Sequence, residues 1–441
     1  MEQTFMKEKK ILPLVLSMSL PMMLSMLVNS LYNIVDSYFV AQISEQAMTA
    51  LSLVYPLQLL ETAIAVGFGI GINAAAAFYL GAGERKNAND VVTSGTLLSI
   101  VHGIVLTLFS IGFARYFVGM FTDQQPILED AVKYAWIVFA FTIPNVVAIT
   151  FEKIFQAEGR MKVSMISMLC GCVVNIILDP MLIFGIGFFP KMGIAGAALA
   201  TGIGQVIPLV VYIIIFVKRP MAFRMTWHKN LIRKRLCKQM YGVGIPATLN
   251  LALPSFMITA LNGILAVYSE TYVLVLGIYY KLQTFIYLSA NGIVQGIRPI
   301  ISYNYGARES ERVKRIFHTA FAMIAVIMAA GMGICLVFSE NLMGLFTESV
   351  QTIAEGGAAI RIICMGFVIS SISVTVSGML EALGKGGQSL VISLIRYIIG
   401  IIPAAYLLGI MLGGPAVWNC FWIAETTASV VAFVLYKRLK Y

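Results

Sequence analysis

The stretch VVNIILDPMLIF, residues 173–184, places an amide and a carboxylate inside a longer apolar run that can cross a bilayer. Asn175 and Asp179 are four residues apart, so they share one face of a helix. Pro180 removes a backbone hydrogen bond and crowds the carbonyl group of Ile176. An ionisable side chain costs at least about 2.5 kcal/mol at the bilayer centre, so it normally faces a cavity or a polar partner. The stretch therefore predicts a small cation or proton site within a span; the alternative is polar packing that caps a neighbouring helix.

The composition excludes a water-soluble globule. Hydrophobic residues make up 59% of the 441-residue chain and charged residues only 12%, and the mean hydropathy is +0.86. The net charge of +10 resides in short segments between apolar runs, as in loops that control membrane topology, so nucleic-acid binding is not indicated. The six cysteines show no metal-ligand spacing and indicate neither a disulfide framework nor a zinc site.

At about 20 apolar residues per crossing, the sequence predicts an all-α polytopic membrane protein with twelve transmembrane helices. The predicted limits in the first half of the chain are 14–40, 47–80, 91–118, 131–156, 163–187 and 193–217. Those in the second half are 239–266, 272–305, 313–338, 353–380, 388–411 and 415–436. Several of these runs exceed the minimum length, so tilted or kinked helices are expected.

Lysine and arginine are concentrated in alternate loops. They occupy both terminal segments and the loops near residues 85, 160, 218–238, 308–315 and 385, whereas the intervening loops are mostly acidic. The positive-inside rule therefore predicts a multi-pass protein of the cell (inner) membrane with both termini in the cytoplasm.

An internal repeat divides the chain into two homologous halves. Adding 225 to a residue number in the first half repeatedly gives the same residue type, as in Pro21 and Pro246, Glu45 and Glu270, Tyr55 and Tyr280, Gly71 and Gly296, and Ser164 and Ser389. Six spans per half relate the halves by an axis along the membrane normal, an arrangement typical of transporters. We predict pseudo-symmetric six-helix lobes at 1–217 and 239–441, joined by a basic cytoplasmic linker at 218–238.

Two further spans of the first half carry polar side chains. Span 1 has a polar stripe at intervals that bring its members onto one helix face: Asn29, Tyr32, Asn33 and Asp36. Span 6 begins with small residues that permit close helix contact, and it carries Thr201 and Gln205 four residues apart. The first half can therefore supply oxygen ligands from three helices, and a common cavity in that half is geometrically possible, although periodicity does not show that the acids meet.

The second half lacks the matching acids. The counterparts of Asn175, Asp179 and Asp36 are Gly400, Ala404 and Leu261. Cationic side chains replace them in or near the spans, namely Lys281, Arg298, Arg361 and Arg396. Snorkelling, or pairing with an acid such as Glu425, is one interpretation of these cations. Glu61 in span 2 is either a cavity residue or the partner of one of them, and Lys281 and Arg298 are further candidates for lining a cavity.

Seven segments together resemble the multidrug and toxic compound extrusion (MATE) transporters, and among these the bacterial DinF-like branch. They are YNIVDSYFVA (32–41), AAAFYLGAGE (75–84), FQAEGRMK (155–162), NIILDPMLIFG (175–185), GIAGAALAT (193–201), YYKLQTF (279–285) and GIRPIISYNYGARE (296–309). The resemblance covers essentially the whole chain. It implies twelve helices in two lobes and export of organic cations and amphipathic compounds in exchange for H⁺ or Na⁺.

The resemblance also assigns residues. By motif match, a cation site in the first lobe would comprise Asp36, Asn175, Asp179 and Thr201. The second lobe lacks the carboxylates that another branch of the family uses. We expect alternating access with H⁺ or Na⁺ as coupling ion, no other cofactor or metal, small-molecule substrates, contact with membrane lipid and function as a monomer.

Two other classes of function remain as alternatives. A flippase for a lipid-linked precursor would need a strongly cationic cavity, for which the arginines of the second half are candidates. An intramembrane enzyme is disfavoured because no HExxH pair or other recognisable catalytic pairing occurs and the three histidines are scattered. A transporter is therefore the predicted class, and not an enzyme.

Overall fold

The structure is a computed structural model that describes residues 4–187 and 189–439. Within these ranges it contains helices and no strand. Ten helical segments are long and apolar enough to cross a membrane, and two bent helix pairs complete the twelve spans. We number them in chain order. Spans 1 to 6 are Ile11–Ala41, Glu45–Gly81, Arg85–Gly119, Gln125–Ala140 with Thr142–Ala157, Met161–Phe184 and Ile194–Lys218.

Spans 7 to 12 complete the second half. They are Lys234–Ala266, Glu270–Gly306, Ser310–Gly344, Val350–Ile363 with Gly366–Ala382, the segment Gly386–Leu412, and Gly414–Lys437. A short helix, Phe5–Glu8, precedes span 1. Span 11 consists of Gly386–Leu394, a π-helix at Ile395–Gly400 and Ile401–Leu412. Span 12 begins with a 3₁₀ turn at Gly414–Asn419.

Helix limits repeat across the two halves. Spans 2 and 8 are each 37 residues long, and spans 3 and 9 are each 35 residues long. The starting residues differ by 225 in both pairs, as the sequence repeat predicts. Ser44 and Ser269 cap spans 2 and 8 by accepting backbone N–H groups at 3.0 and 3.1 Å. The two pseudo-symmetric six-helix halves are confirmed.

The chain forms two compact units whose boundaries lie inside two helices. One unit contains Leu24–Gly244; the other contains Thr4–Met23 and the chain from Ile245 onward. Spans 1 and 7 therefore each belong partly to both units. The limits predicted at residues 217 and 239 follow the sequence repeat, whereas the units follow packing between helices.

Glycines allow the first parts of spans 1 and 7 to pack closely. In the first unit, the α-carbon of Gly71 in span 2 faces the backbone carbonyl group of Met240 in span 7. In the second unit, a side chain at Gly296 in span 8 would lie 2.6 Å from the α-carbon of Ser19 in span 1. Gly71 and Gly296 are repeat equivalents, so both units use the same helix contact.

The bends in spans 4 and 10 differ in their local sequence. Span 4 bends by 48° at Phe141, and Pro144 lies in the first turn of the following helix, where its missing N–H is tolerated. Span 10 bends by 50° just before Gly366, without a proline. The length of these runs predicted kinks but not their positions.

Spans 5 and 6 pack with their backbones in close contact, which gives a test of the fold. A methyl group at Gly171 would lie 2.5 Å from the carbonyl oxygen of Gly204. We therefore expect Gly171→Ala to lower the free energy of unfolding by about 1–3 kcal/mol. Gly112→Ala is the matched control, because nothing lies near that exposed position, and it should stabilise by up to about 1 kcal/mol. Unfolding in mixed detergent micelles measures both; equal effects would contradict this packing.

The linker before span 7 is fixed to the first unit by a buried acid. Asp90 in span 3 is 1% exposed and accepts from Thr226 Oγ1 at 3.2 Å and His228 Nε2 at 2.9 Å. Arg233 forms an ion pair with the same carboxylate. The backbone N–H of Ala222 donates to Glu158 Oε1 at 2.8 Å. The basic linker is therefore a structured part of this unit.

Candidate cation-binding site

Three helices of the first unit bring polar groups together away from solvent. Asp36 in span 1 is 8% exposed, and Asn175 and Asp179 in span 5 are 1% and 0% exposed. The helical spacing on span 5 brings Asn175 Nδ2 to 3.5 Å from Asp179 Oδ1, where it donates a long hydrogen bond. Span 6 adds the buried Thr201.

The two carboxyl groups meet. Asp36 and Asp179 are in hydrogen-bonding contact across spans 1 and 5. Two carboxylates in contact repel each other, so the arrangement needs a shared proton or a bound cation. Four buried oxygens have no hydrogen-bond partner among the described residues: Asp36 Oδ1, Asp179 Oδ2, Asn175 Oδ1 and Thr201 Oγ1. The site therefore offers four uncommitted oxygen atoms, which suit a hard cation or, at an acid, a proton.

A buried tyrosine joins this group, and the sequence did not indicate it. The Tyr134 hydroxyl in span 4 lies near the side chains of Gln58 and Thr201, and the residue is 1% exposed. Its repeat equivalent is Ala359, so the repeat carries no signal for it. Tyr32 in span 1 lies within electrostatic range of both aspartates. Spans 1, 4, 5 and 6 together form the site.

Three other polar residues predicted from the sequence, Asn29, Asn33 and Gln205, are not buried with this site. Asn29 and Asn33 are exposed on the surface of the unit. Asn33 Nδ2 donates to the carbonyl oxygen of Asn29 at 2.8 Å, within the same helix. Gln205 in span 6 is half-buried, one turn beyond Thr201. These three side chains therefore remain only candidates for a cavity wall.

Glu61 has a partner in its own unit. The side chain is buried, and Asn145 Nδ2 donates to its Oε1 at 3.2 Å. The interpretation of Glu61 as the ion-pair partner of a cation from the second half is therefore wrong. The reason is local: spans 2 and 4 pack against each other and offer an amide donor to the acid.

The arginines of the second unit are paired with acids. Arg298 contacts Glu381 at 2.6 Å, Arg361 contacts Glu340 at 3.0 Å, and Arg396 Nε donates to Glu425 Oε1 at 2.7 Å. Lys281 is exposed, and its Nζ lies 5.8 Å from the centroid of the Phe346 ring. The three arginines therefore do not add net charge to a cationic cavity, which a lipid flippase would need. Arg298 stays a candidate for lining a cavity because 16% of its side chain is exposed.

The fold and the site define an integral membrane transporter built from two repeated halves, with a buried acid pair in the first unit. A family model described as MatE matches residues 21–181 and 246–407, one match in each half. The chain belongs to the MatE family of MATE transporters. Its members are transporters and not enzymes, as the sequence predicted.

Two curated relatives align along nearly the whole chain. A multidrug export protein, MepA, from Staphylococcus haemolyticus is 27% identical over 99% of this chain and 96% of its own length. MepA from Staphylococcus aureus is 26% identical over 100% of this chain and 96% of its own length. These names do not test the DinF-like assignment, which stays a prediction.

Solved structures show the same fold. An outward-facing multidrug-resistance MATE transporter of the MOP superfamily superposes with a TM-score of 0.91 at 24% identity, covering 99% of this chain and 97% of that one. A MATE structure in a bent conformation superposes with a TM-score of 0.93 at 23% identity, covering 99% of this chain and 97% of that one. A MOP-superfamily transporter from Pyrococcus furiosus superposes with a TM-score of 0.91 at 24% identity, covering 99% of this chain and 97% of that one. That protein is described as having a binding pocket of reversed polarity. At this identity the likeness concerns the fold. The curated relatives are exporters, and lipid flipping is not favoured.

Proposed function

We propose that the protein is a secondary active multidrug efflux transporter. It exchanges H⁺ or Na⁺ for organic cations or amphipathic small molecules by alternating access. The observation that carries the proposal is the contact between Asp36 and Asp179, with uncommitted oxygens on both acids and on Asn175. The MepA relatives, which are multidrug export proteins, support the direction and the substrate class.

The acid pair is the coupling site of this mechanism. Asp36 and Asp179 take up the ion from outside, and Asn175 and Thr201 add neutral oxygens. Binding of the ion neutralises the pair, which weakens the attraction for a cationic substrate and releases it. One proton that enters down about 100 mV and one pH unit supplies about 2.3 plus 1.4 kcal/mol, enough for a gradient of several hundredfold in a neutral substrate. No cofactor beyond the ion is required.

Topology and assembly follow from the same proposal. The protein lies in the cell (inner) membrane with both termini and the linker in the cytoplasm, as the distribution of Lys and Arg indicates. It works as a monomer, since one chain contains both repeated halves, and lipid surrounds its apolar helix faces.

Uptake into inverted vesicles tests the proposal. Vesicles that contain the protein receive a fluorescent organic cation and, separately, an inward-acidic pH gradient or an inward-high Na⁺ gradient. We expect uptake under one of the gradients and its collapse when an ionophore dissipates that gradient. Uptake equal to that of empty vesicles under both gradients would contradict the proposal.

The contacts of Tyr134 predict a smaller effect on ion affinity. Tyr134→Phe removes a buried hydroxyl that lies near Gln58 and Thr201, so the surroundings of the ion lose one polar oxygen. We expect the half-saturating concentration of the coupling ion to rise about fivefold, as for the loss of one polar contact of about 1 kcal/mol. The control is Tyr79→Phe, which removes a buried hydroxyl bonded to Gln239 at 2.6 Å. An equal shift in both variants would assign Tyr134 a purely structural role.

A further inference from the structure

A second buried charge cluster lies in the other unit and has no part in the mechanism above. Arg396 in span 11 and Glu425 in span 12 each expose 9% of the side chain. Arg396 Nε donates to Glu425 Oε1 at 2.7 Å, and Nη2 donates to the Tyr287 hydroxyl at 3.1 Å. The Tyr287 hydroxyl in turn donates to Ser370 Oγ at 2.8 Å.

Aromatic rings surround the guanidinium group. Its central carbon lies 5.5 Å from the ring centroid of Tyr287 and 5.1 Å from that of Tyr397. The ring of Phe367 packs edge-on against Tyr287 at 5.8 Å. Ring faces together with a buried carboxylate are the groups by which proteins recognise organic cations. We call Tyr287, Tyr397, Arg396 and Glu425 the tyrosine cage.

Two further features suggest that the cage is more than a static ion pair. Glu425 Oε2 is buried and has no hydrogen-bond partner among the described residues. The nearby Ser373 hydroxyl donates to the Ser370 carbonyl oxygen at 3.0 Å, so one carboxylate oxygen is available to a second donor or cation. Arg396 lies on the π-helix Ile395–Gly400, and such helices occur frequently at functional sites. Tyr287 and Tyr397 are half-buried, so the cage reaches the surface of this unit.

We infer that the tyrosine cage is a binding site for organic cations, in which Arg396 is the resident cation. A substrate with a delocalised or quaternary positive charge competes with Arg396 for Glu425 and the tyrosine faces. This inference rests on the proposed export of organic cations and adds a recognition site in the second unit, separate from the acid pair of the first.

Equilibrium binding of tetraphenylphosphonium to the purified full-length protein tests the cage. We expect Arg396→Met to bind this cation about 10-fold more tightly than wild type, because the competing cation is gone. Glu425→Gln should bind about 10-fold more weakly, and the double variant should lose the gain. Arg361→Met is the matched control at the exposed Arg361–Glu340 pair and should leave binding unchanged. Neutral triphenylphosphine oxide should bind all variants within twofold of wild type.

The unfolding temperatures of the variants show whether a change in binding reflects the cage or a loss of folded protein. Either single variant leaves a buried charge without its partner, whereas the double variant does not, so the double variant should unfold at a higher temperature than either single one. If Arg396→Met does not fold, Tyr287→Leu should weaken binding about 10-fold while Tyr287→Phe retains it, because only the ring face is needed.

The outcomes separate the inference from the proposed function. Folded Arg396→Met protein with unchanged or weaker affinity for tetraphenylphosphonium would overturn the cage while gradient-driven uptake by wild type stands. Equal binding by Tyr287→Leu and Tyr287→Phe would also overturn it. Wild type that neither binds nor transports an organic cation under either gradient would overturn the proposed function and the cage with it.

Discussion

Asp179→Asn should reduce gradient-driven uptake of an organic cation into inverted vesicles by about 100-fold, the upper range of coupling between two ligands. The side chain is fully buried and contacts the Asp36 carboxyl group and the Asn175 amide. An amide neither takes up a proton nor balances the charge of Na⁺, so ion binding no longer drives substrate release. Asp36→Asn should give the same result, because each acid needs the other to hold the ion.

The control for this prediction is Asp123→Asn, which makes the same chemical change at an exposed loop position. It should transport at the wild-type rate. The amount of folded protein in the vesicles is measured for each variant, so that loss of transport is not loss of protein. Normal uptake by both Asp36→Asn and Asp179→Asn would mean that the acids are structural and that coupling occurs elsewhere.

Asp90→Ala should release the linker and raise its cleavage rate by trypsin about 100-fold. Asp90 accepts from Thr226, His228 and Arg233. A hydrogen bond to a charged group contributes about 1.5–3 kcal/mol, so losing these bonds costs about 3 kcal/mol, which corresponds to about 100-fold in the open population. Trypsin sites at Arg224 and Lys229 then become accessible. Limited proteolysis of inverted vesicles, followed by gel electrophoresis, measures the rate.

The same experiment tests the orientation of the protein. Cleavage in the linker should occur in inverted vesicles and not in right-side-out vesicles, because the linker is predicted to be cytoplasmic. Glu311→Ala is the control, since it removes an exposed acid that pairs with Lys314 at 2.8 Å. Equal cleavage rates for Asp90→Ala and wild type would show that Asp90 does not fix the linker.

The sequence predicted the spans and the repeat because both depend on local composition. Span 1 was predicted at 14–40 and is found at Ile11–Ala41, since bilayer thickness sets the length of an apolar run. Helix caps recur at equivalent positions of the two halves, as at Ser44 and Ser269, and so do glycines, so the sequence repeat predicts the repeat of the helices. The sequence allows a meeting of Asp36 and Asp179 but does not predict it, because periodicity places a residue on a helix face without identifying the helix that it faces.

Features that depend on packing between helices escaped sequence reasoning. Tyr134 reaches the acid pair through the packing of spans 4 and 6, and its neighbours in sequence, Lys133 and Ala135, do not mark it as a site residue. The pairing of Glu61 with Asn145 depends on contact between spans 2 and 4. The π-helix at Ile395–Gly400 has no proline within it to mark it. The first parts of spans 1 and 7 belong to the opposite unit from the rest of each helix. The sequence repeat does not predict this, because it runs without a gap through both helices.

Ion movement driven by substrate tests the central claim, exchange at the acid pair, most directly. Proteoliposomes loaded with an organic cation and a pH-sensitive or Na⁺-sensitive dye are diluted into substrate-free buffer without an ion gradient. Our account predicts that substrate efflux through wild-type protein drives H⁺ or Na⁺ into the lumen, and that Asp179→Asn abolishes this ion uptake. Substrate efflux without movement of either ion, or equal ion uptake by Asp179→Asn, would contradict it.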